Sequence, residues 1–276
     1  MTYNKYGITF RKIRKQSGCT LAEFSSIGIP ASTLSDFERG KTMISLDKID
    51  SALQLIGSSL SDFDYYLNHY APTEPNFILQ EIKKSILFKD ITRLRELQSI
   101  CKETNQNYIY LTIKFLLQEG SLNEKNILIN YLYETKFFGI KELNIFYIIM
   151  DYLAPQDILN IIKNLKERGK GMKSSDLHYR SLSFVLLEAI IVLSKYGLKK
   201  ESYHLLERIQ VLNLAQTMFL KNLFHGVEGF WIYCFKNKSE GKEKIQEFLV
   251  IQHRAGQPEV ARFYQKKFEA SLELYN

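Results

Sequence analysis

The stretch GIPASTLSDFERGKT, from Gly28 to Thr42, decides how this chain is read. Gly28 and Pro30 make a turn, and the residues after it form one short helix that stops at Gly40. Leu34 and Phe37 fall on one face of that helix and make its buried stripe. Ser32, Thr33, Ser35, Asp36 and Arg39 are left free to face a groove. A helix that enters the major groove of duplex DNA needs a tight turn before it, small or polar groups at its N-terminal end and an apolar back.

On either side of this stretch, Gly18, Gly28, Gly40 and Gly57 separate short apolar-periodic segments, and a glycine just past a helical run closes it in the left-handed conformation. Helices are expected over 6–17, 20–27, 31–39, 45–56 and 60–70, with Thr20 capping the second and Ser45 the fourth. Because Lys48 stands where a Glu would complete the motif, the fourth helix has no full capping box. On the first helix Phe10 and Ile13 point inward, while Arg11, Lys12, Arg14 and Lys15 form a cationic cluster suited to phosphates. Taken alone, such a run reads first as a solvated charged face, and the turn and short helix from Gly28 reverse that preference.

The run FRKIRKQSGCTLAEF at 10–24, with GIPASTLSDFERGKT and MISLDKIDSALQLI at 43–56, resembles a phage-repressor-type (XRE, Cro/cI-like) helix-turn-helix. The form STLS-x-FERG-x-x-x-ISL at 32–46 is similar to the Rgg (MutR/GadR-like) family of peptide-responsive regulators in Gram-positive bacteria. By motif the likeness covers about the first quarter of the chain. It implies a partly buried ion pair between Arg14 and Glu38 joining helices one and three. It also implies Ser32, Thr33 and Asp36 at base edges, and Arg11, Lys12, Lys15, Arg39 and Lys41 near phosphates. Leu21 departs from the Gln often found at that position for base contact, so direct readout is expected to be sparse and DNA shape to carry part of the specificity. One short recognition helix reads a half-site, which implies a dimer.

Ala71-Pro72-Thr73-Glu74-Pro75 reads as a linker, giving a DNA-binding domain at 1–70, a linker at 71–75 and a helical domain at 76–276. Helices are expected over 75–88, 91–104, 107–118, 123–136, 139–152, 155–168, 174–196, 199–212, 215–236, 240–254 and 258–274. Short joins force antiparallel neighbours, so the fold class is all-α: a five-helix domain followed by a solenoid of stacked hairpins. No strict 34-residue tetratricopeptide period recurs, so the array is TPR-like only in a degenerate sense, as the resemblance also implies.

A concave solenoid face suits an extended peptide. The middle hairpins are crowded with aromatics such as Tyr108, Tyr131, Phe146 and Tyr147, which at helical spacing indicate core first. Polar residues set among apolar ones are better candidates for the ligand: Asn130, His178, Arg180, Glu188, Asn222 and His225, with Arg180 able to take a peptide carboxylate. Pairing with neighbouring helices is the alternative role for each. The C-terminal segment, with Arg262, Lys266 and Lys267 beside Phe263, Phe268 and Leu272, is amphipathic and either caps the solenoid or builds a dimer interface.

Net charge is +7, yet residues 1–70 hold 8 Lys and Arg against 7 Asp and Glu, so a DNA role rests on arrangement and not on total charge. Cys19, Cys101 and Cys234 are far apart and suggest neither disulfides nor zinc. No signal core or membrane span is read, the longest apolar run, Phe184 to Leu193, being short and holding Glu188; the cytosol is expected. The five histidines form no HExxH pair, there is no nucleophile elbow or phosphate loop, and neither enzyme activity nor a cofactor is expected.

The partners implied are double-stranded promoter DNA, a short, mainly apolar signalling peptide as in quorum sensing, and a second copy of the chain. Alternatives are a ligand-independent repressor whose helical domain only dimerises, and a helical interaction scaffold.

Overall fold

The computed structural model describes residues 4–68, 74–168, 176–214 and 216–272. The chain divides into two compact units, Met1–Phe77 and Ile78–Asn276. Among the described residues every regular element is helical.

The first unit contains α1 (Asn4–Gln16), a 3-10 helix (Ala22–Ile27), α2 (Ala31–Glu38), α3 (Leu46–Leu55) and α4 (Leu60–Leu67). Its core is built on Phe10, Phe24, Ile29, Leu34, Phe37 and Leu53, all fully buried. The Phe10 ring meets Phe24 edge-on at 5.9 Å and Phe37 at 5.8 Å, and each such ring contributes roughly 1.5–3 kcal/mol by leaving water. Gly7 lets α1 cross α2 closely, since a Cβ there would stand 1.9 Å from the Phe37 carbonyl oxygen.

Two capping expectations are corrected. The second element is a 3-10 helix, and Thr20 does not cap it; the Thr20 N–H donates to Glu23 Oε2 at 2.7 Å instead. Ser25 and Ser26 are poor helix formers, Ser26 Oγ donates back to Glu23 O at 2.6 Å, and Gly28 at φ 74° ends the segment after two turns. Ser45 occupies the N-cap position of α3, but its side chain does not cap the helix; it bonds Asp47 and holds that carboxyl below the usual range. The full capping box lies on α4, where Ser59 and Asp62 satisfy each other's backbone N–H groups. The part of the expected fifth helix beyond 68, and the expected linker up to 73, lie outside the described residues.

The second unit is a series of antiparallel pairs. Its elements are α5 (Glu74–Phe88), α6 (Ile91–Glu103), α7 (Asn107–Leu116), α8 (Leu122–Glu134), α9 (Ile140–Ile149), a 3-10 turn (Met150–Tyr152) and α10 (Pro155–Arg168). They are followed by α11 (Asp176–Lys195), α12 (Lys199–Val211), α13 (Met218–Phe235), α14 (Lys238–Arg254) and α15 (Pro258–Leu272). The unit boundary falls within the first turns of α5. Within hairpins α6 packs on α7, α11 on α12 and α13 on α14, while α7, α9, α11 and α13 form a row across hairpins. This is the stacked-hairpin solenoid expected from the short joins.

Several joins close on a left-handed residue that is not glycine, namely Lys89, Asn105, Gln118 and Asn213. Asparagine tolerates that region; lysine and glutamine hold it at a cost of about 1–2 kcal/mol. The expected helix over 139–152 is split, because its last turn tightens to 3-10 before Leu153 becomes extended ahead of Pro155. The start of α14 moves to Lys238 because Asn237 Oδ1 accepts from the N–H groups of Ser239 and Glu240.

At the centre, α11 is buried on nearly every face from Ser181 to Ser194, which is why its sequence lacks an amphipathic stripe. It is the one helix among the described residues long and apolar enough to cross a bilayer, but 72% of that window is buried within the protein. The tightest helix pair is α13 on α14, where a Cβ on Gly241 would lie 2.4 Å from Tyr233 N and 2.6 Å from Gly229 O. Gly241→Ala must push the two backbones apart and is expected to destabilise the second unit by about 1–3 kcal/mol, read as a lowered urea midpoint of Trp231 fluorescence. An unchanged midpoint would show that the pair separates freely.

Candidate nucleic-acid interface and ligand cavity

In the first unit one ion pair fixes α2, the candidate DNA-facing helix. Arg14 on α1 donates from Nε to Glu38 Oε1 at 2.5 Å and from Nη2 to Glu38 Oε2 at 2.9 Å, while Nη1 reaches the Cys19 carbonyl at 2.6 Å. Both side chains are buried, 9% and 4% exposed, so the two-pronged geometry locks the end of α1 to the end of α2. The hydrogen bond to Glu38 raises the Arg14 pKa further. This is the pairing implied by the resemblance, and it removes Arg14 from the expected phosphate contacts, because a buried and fully engaged guanidinium does not reach a phosphate.

The remaining candidates stay on the surface. Arg11, Lys12, Lys15, Ser32, Arg39 and Lys41 are exposed, and Thr33, Ser35 and Asp36 are half-buried on the same short helix and its approach. Asp36 is already committed: Arg39 Nη2 lies 2.9 Å and Lys41 Nζ 3.6 Å from its Oδ1. The carboxylate thus holds two cations in place beside the hydroxyls of Ser32 and Thr33, which lowers its own repulsion of phosphate.

In the second unit, α5, α7, α9, α11, α13 and α15 together line an open cavity of about 1010 Å³. Its apolar wall includes Ile86, Leu116, Ile148, Phe184, Phe219 and Phe263. Its charged wall holds Lys83, Lys89, Arg180, Lys195, Arg262, Lys266 and Lys267 against two carboxylates, Asp151 and Glu259. Beneath it Lys267 pairs with buried Glu188 and, at 2.9 Å, with Asp151, which also takes Lys195 at 3.3 Å. Burial opposes the charge on Lys267, but the Glu188 and Asp151 carboxylates outweigh it and raise the pKa above the ordinary lysine value. Tyr147 and Tyr264, hydrogen-bonded to each other, are pushed up by burial and stay neutral.

Of the six ligand candidates read from sequence, Arg180 lines the cavity and Glu188 supports it through Lys267. Asn130 is exposed on α8, away from any buried apolar setting. Asn222 donates to Phe248 O at 3.3 Å and His225 meets Glu247 Oε2 at 2.6 Å, so both join α13 to α14. His178 Nε2 meets Phe138 O at 2.8 Å. Sequence reasoning missed Lys83, whose Nζ donates to Asn144 Oδ1 at 2.8 Å, and did not assign Lys267 to an ion cluster. The available signal was position: Lys267 falls three residues after Tyr264 and next to Phe268, on the buried stripe of α15.

A family model described as the C-terminal domain of HTH-type transcriptional regulator Rgg matches residues 83–266, and a helix-turn-helix model matches residues 10–63. No curated protein matches the chain. Among solved structures, the Streptococcus dysgalactiae SHP pheromone receptor Rgg2 is similar with a TM-score of 0.78 at 18% identity, over 96% of this chain and 99% of that one. The PrgX/cCF10 complex is similar with a TM-score of 0.67 at 15% identity, over 97% of this chain and 93% of that one. At those identities the likeness to solved structures speaks to the fold.

The two ion clusters have measurable consequences. Arg14→Ala leaves buried Glu38 with only Arg11, whose Nε is 4.0 Å from Oε2, and is expected to destabilise the first unit by about 3 kcal/mol, seen as faster hydrogen exchange in α1 and α2. Replacing both partners, Arg14→Met with Glu38→Leu, should restore most of that protection, and equal loss in the two variants would contradict it. Against the upward push of burial, Lys267 and Lys195 hold Asp151 below the usual carboxylate range. Its contribution is therefore full above about pH 4 and is lost as pH falls through the lowered folded value. Asp151→Asn should flatten the acid limb of the second unit's stability curve, and an unaltered limb would show that the contribution is absent.

Proposed function

This chain belongs to the Rgg family of HTH-type transcriptional regulators, and on that premise we propose that it is a cytosolic, dimeric regulator of promoter DNA controlled by a short, mainly apolar peptide. Residues 1–70 read the DNA, 71–75 serve as a linker, and 76–276 sense the peptide and dimerise. The observation that carries the DNA half is the bidentate Arg14–Glu38 pair, which holds α2 with its hydroxyl-bearing N-terminal end outward. Ser32, Thr33 and Ser35 then meet base edges, and Arg11, Lys12, Lys15, Arg39 and Lys41 meet phosphates. Asp36 acts by placing Arg39 and Lys41.

The cavity supports the peptide half. Its volume suits several residues of an extended chain, and its mixture of aliphatic, aromatic and cationic walls matches an apolar peptide with a free carboxylate. The similar structures are themselves described as a pheromone receptor and as the PrgX/cCF10 complex. A ligand spanning α5, α9, α11 and α15 binds one arrangement of these helices better than others, which is the condition for shifting a regulator between states.

The test is fluorescence anisotropy with promoter fragments from upstream of the protein's own and neighbouring genes, across a salt series, with and without pooled short apolar peptides. Wild type is expected to bind with an affinity that falls steeply with salt. Arg11→Ala with Lys15→Ala should weaken binding on all sequences and reduce the log–log salt slope by about 2, because each of the two cations neutralises one phosphate. Absence of binding to every fragment would overturn the DNA reading, and binding indifferent to all peptides would overturn peptide control.

A further inference from the structure

The charges around the cavity do not balance, and the imbalance is localised. Asp151 is taken by Lys195 and Lys267, and Glu259 by Arg262 at 2.7 Å. Lys83, Lys89, Arg180 and Lys266 remain, and among the described residues none of these four forms an ion pair with a carboxylate. They fall into two couples of like charge. Lys83 and Arg180 line the same cavity, and burial together with that cationic neighbour holds the Lys83 amine below its ordinary value. Lys89, in the left-handed region at φ 55°, stands against Lys266 of α15.

Cations brought together without counter-ions repel, and the arrangement is relieved when an anion lies between them. Lys83 and Lys89 are six residues apart along α5 and its end, a rise of roughly 9 Å along the axis combined with more than a full turn about it, so the two couples occupy separate parts of the cavity wall. An extended octapeptide reaches at most about 28 Å, enough to touch both. Ile86 and Phe184 line the same cavity and offer apolar contact to the rest of the ligand.

We propose that the cavity selects peptides carrying two carboxylates: the C-terminal one seated between Lys83 and Arg180, and an acidic side chain nearer the peptide's N-terminus seated between Lys89 and Lys266. The assignment follows accessibility. Lys83 is the least exposed of the four and is anchored to Asn144, which suits a chain end, whereas Lys89 and Lys266 are exposed. The proposal rests on the peptide-receptor reading and adds the ligand's charge pattern to it.

The test uses four pools of synthetic octapeptides, randomised among apolar residues and differing at two points: one Asp or one Asn, placed in turn at each position from two to seven residues before the C-terminus, and a free or amidated C-terminus. Retention on immobilised full-length protein is read by mass spectrometry. The doubly anionic pool is expected to be retained about tenfold or more over the amidated Asn pool, and the preference should shrink in high salt. Lys89→Asn with Lys266→Gln should abolish the Asp preference alone, and Lys83→Gln with Arg180→Gln the preference for a free carboxylate alone. Lys89→Asn keeps a residue that tolerates the left-handed backbone, so this exposed pair serves as the test even if the Lys83 variant fails to fold. Equal retention of all four pools would overturn the charge pattern while leaving peptide binding intact. Retention of none would overturn both.

Discussion

A charge taken out of water needs its counter-ion inside the fold, and each unit of this protein is organised around one such requirement. In the first unit, Arg14 and Glu38 are buried together and joined by two parallel hydrogen bonds. Their geometry admits one orientation of α2 on α1, and that orientation sets which side chains of the short helix look outward. In the second unit, buried Glu188 is met by Lys267, which brings the last helix, α15, against α11, with Asp151 and Lys195 completing the cluster. Well-packed apolar residues would give comparable stability in either place, but would not fix register so narrowly.

That economy gives meaning to the charges that lack carboxylate partners. Most ionic groups around the cavity are engaged, and the four cations that are not sit on α5, at its end, on α11 and on α15. These positions are far apart in sequence and are joined in the structure by the walls of one concave surface. A ligand that neutralises them ties α5 to α11 and α15, so its binding free energy stabilises that arrangement of the solenoid directly. For such a ligand the apolar wall would supply affinity and the charges its orientation.

Much of this was legible in the sequence. Glycines at 18, 28, 40 and 57 mark the breaks of the first unit, and all four adopt the left-handed conformation that ends a helix. The Arg14–Glu38 pair followed from resemblance, although Arg14 was also expected among the DNA contacts, where burial rules it out. The cavity was harder to read. A polar residue among apolar neighbours announces that it is buried and partnered, but not by what: Asn222 and His225 are spent on joining α13 to α14, and Arg180 faces the cavity. Lys83 and Lys89 carried no signal, because their role depends on Arg180 and Lys266, which tertiary folding alone brings beside them. The 3-10 element at Ala22–Ile27 escaped notice for a local reason, since i to i+3 and i to i+4 bonding share nearly the same apolar pattern over so few residues.

Peptide control of a promoter requires that a ligand in the C-terminal unit and DNA at the N-terminal unit be coupled through one protein, and linkage makes any such coupling reciprocal. The decisive experiment is peptide affinity by calorimetry with and without saturating promoter duplex, set beside promoter affinity with and without saturating peptide. Both affinities are expected to change by the same factor, in the range of about 5- to 150-fold. A peptide affinity that is identical with and without DNA would refute peptide control of this regulator.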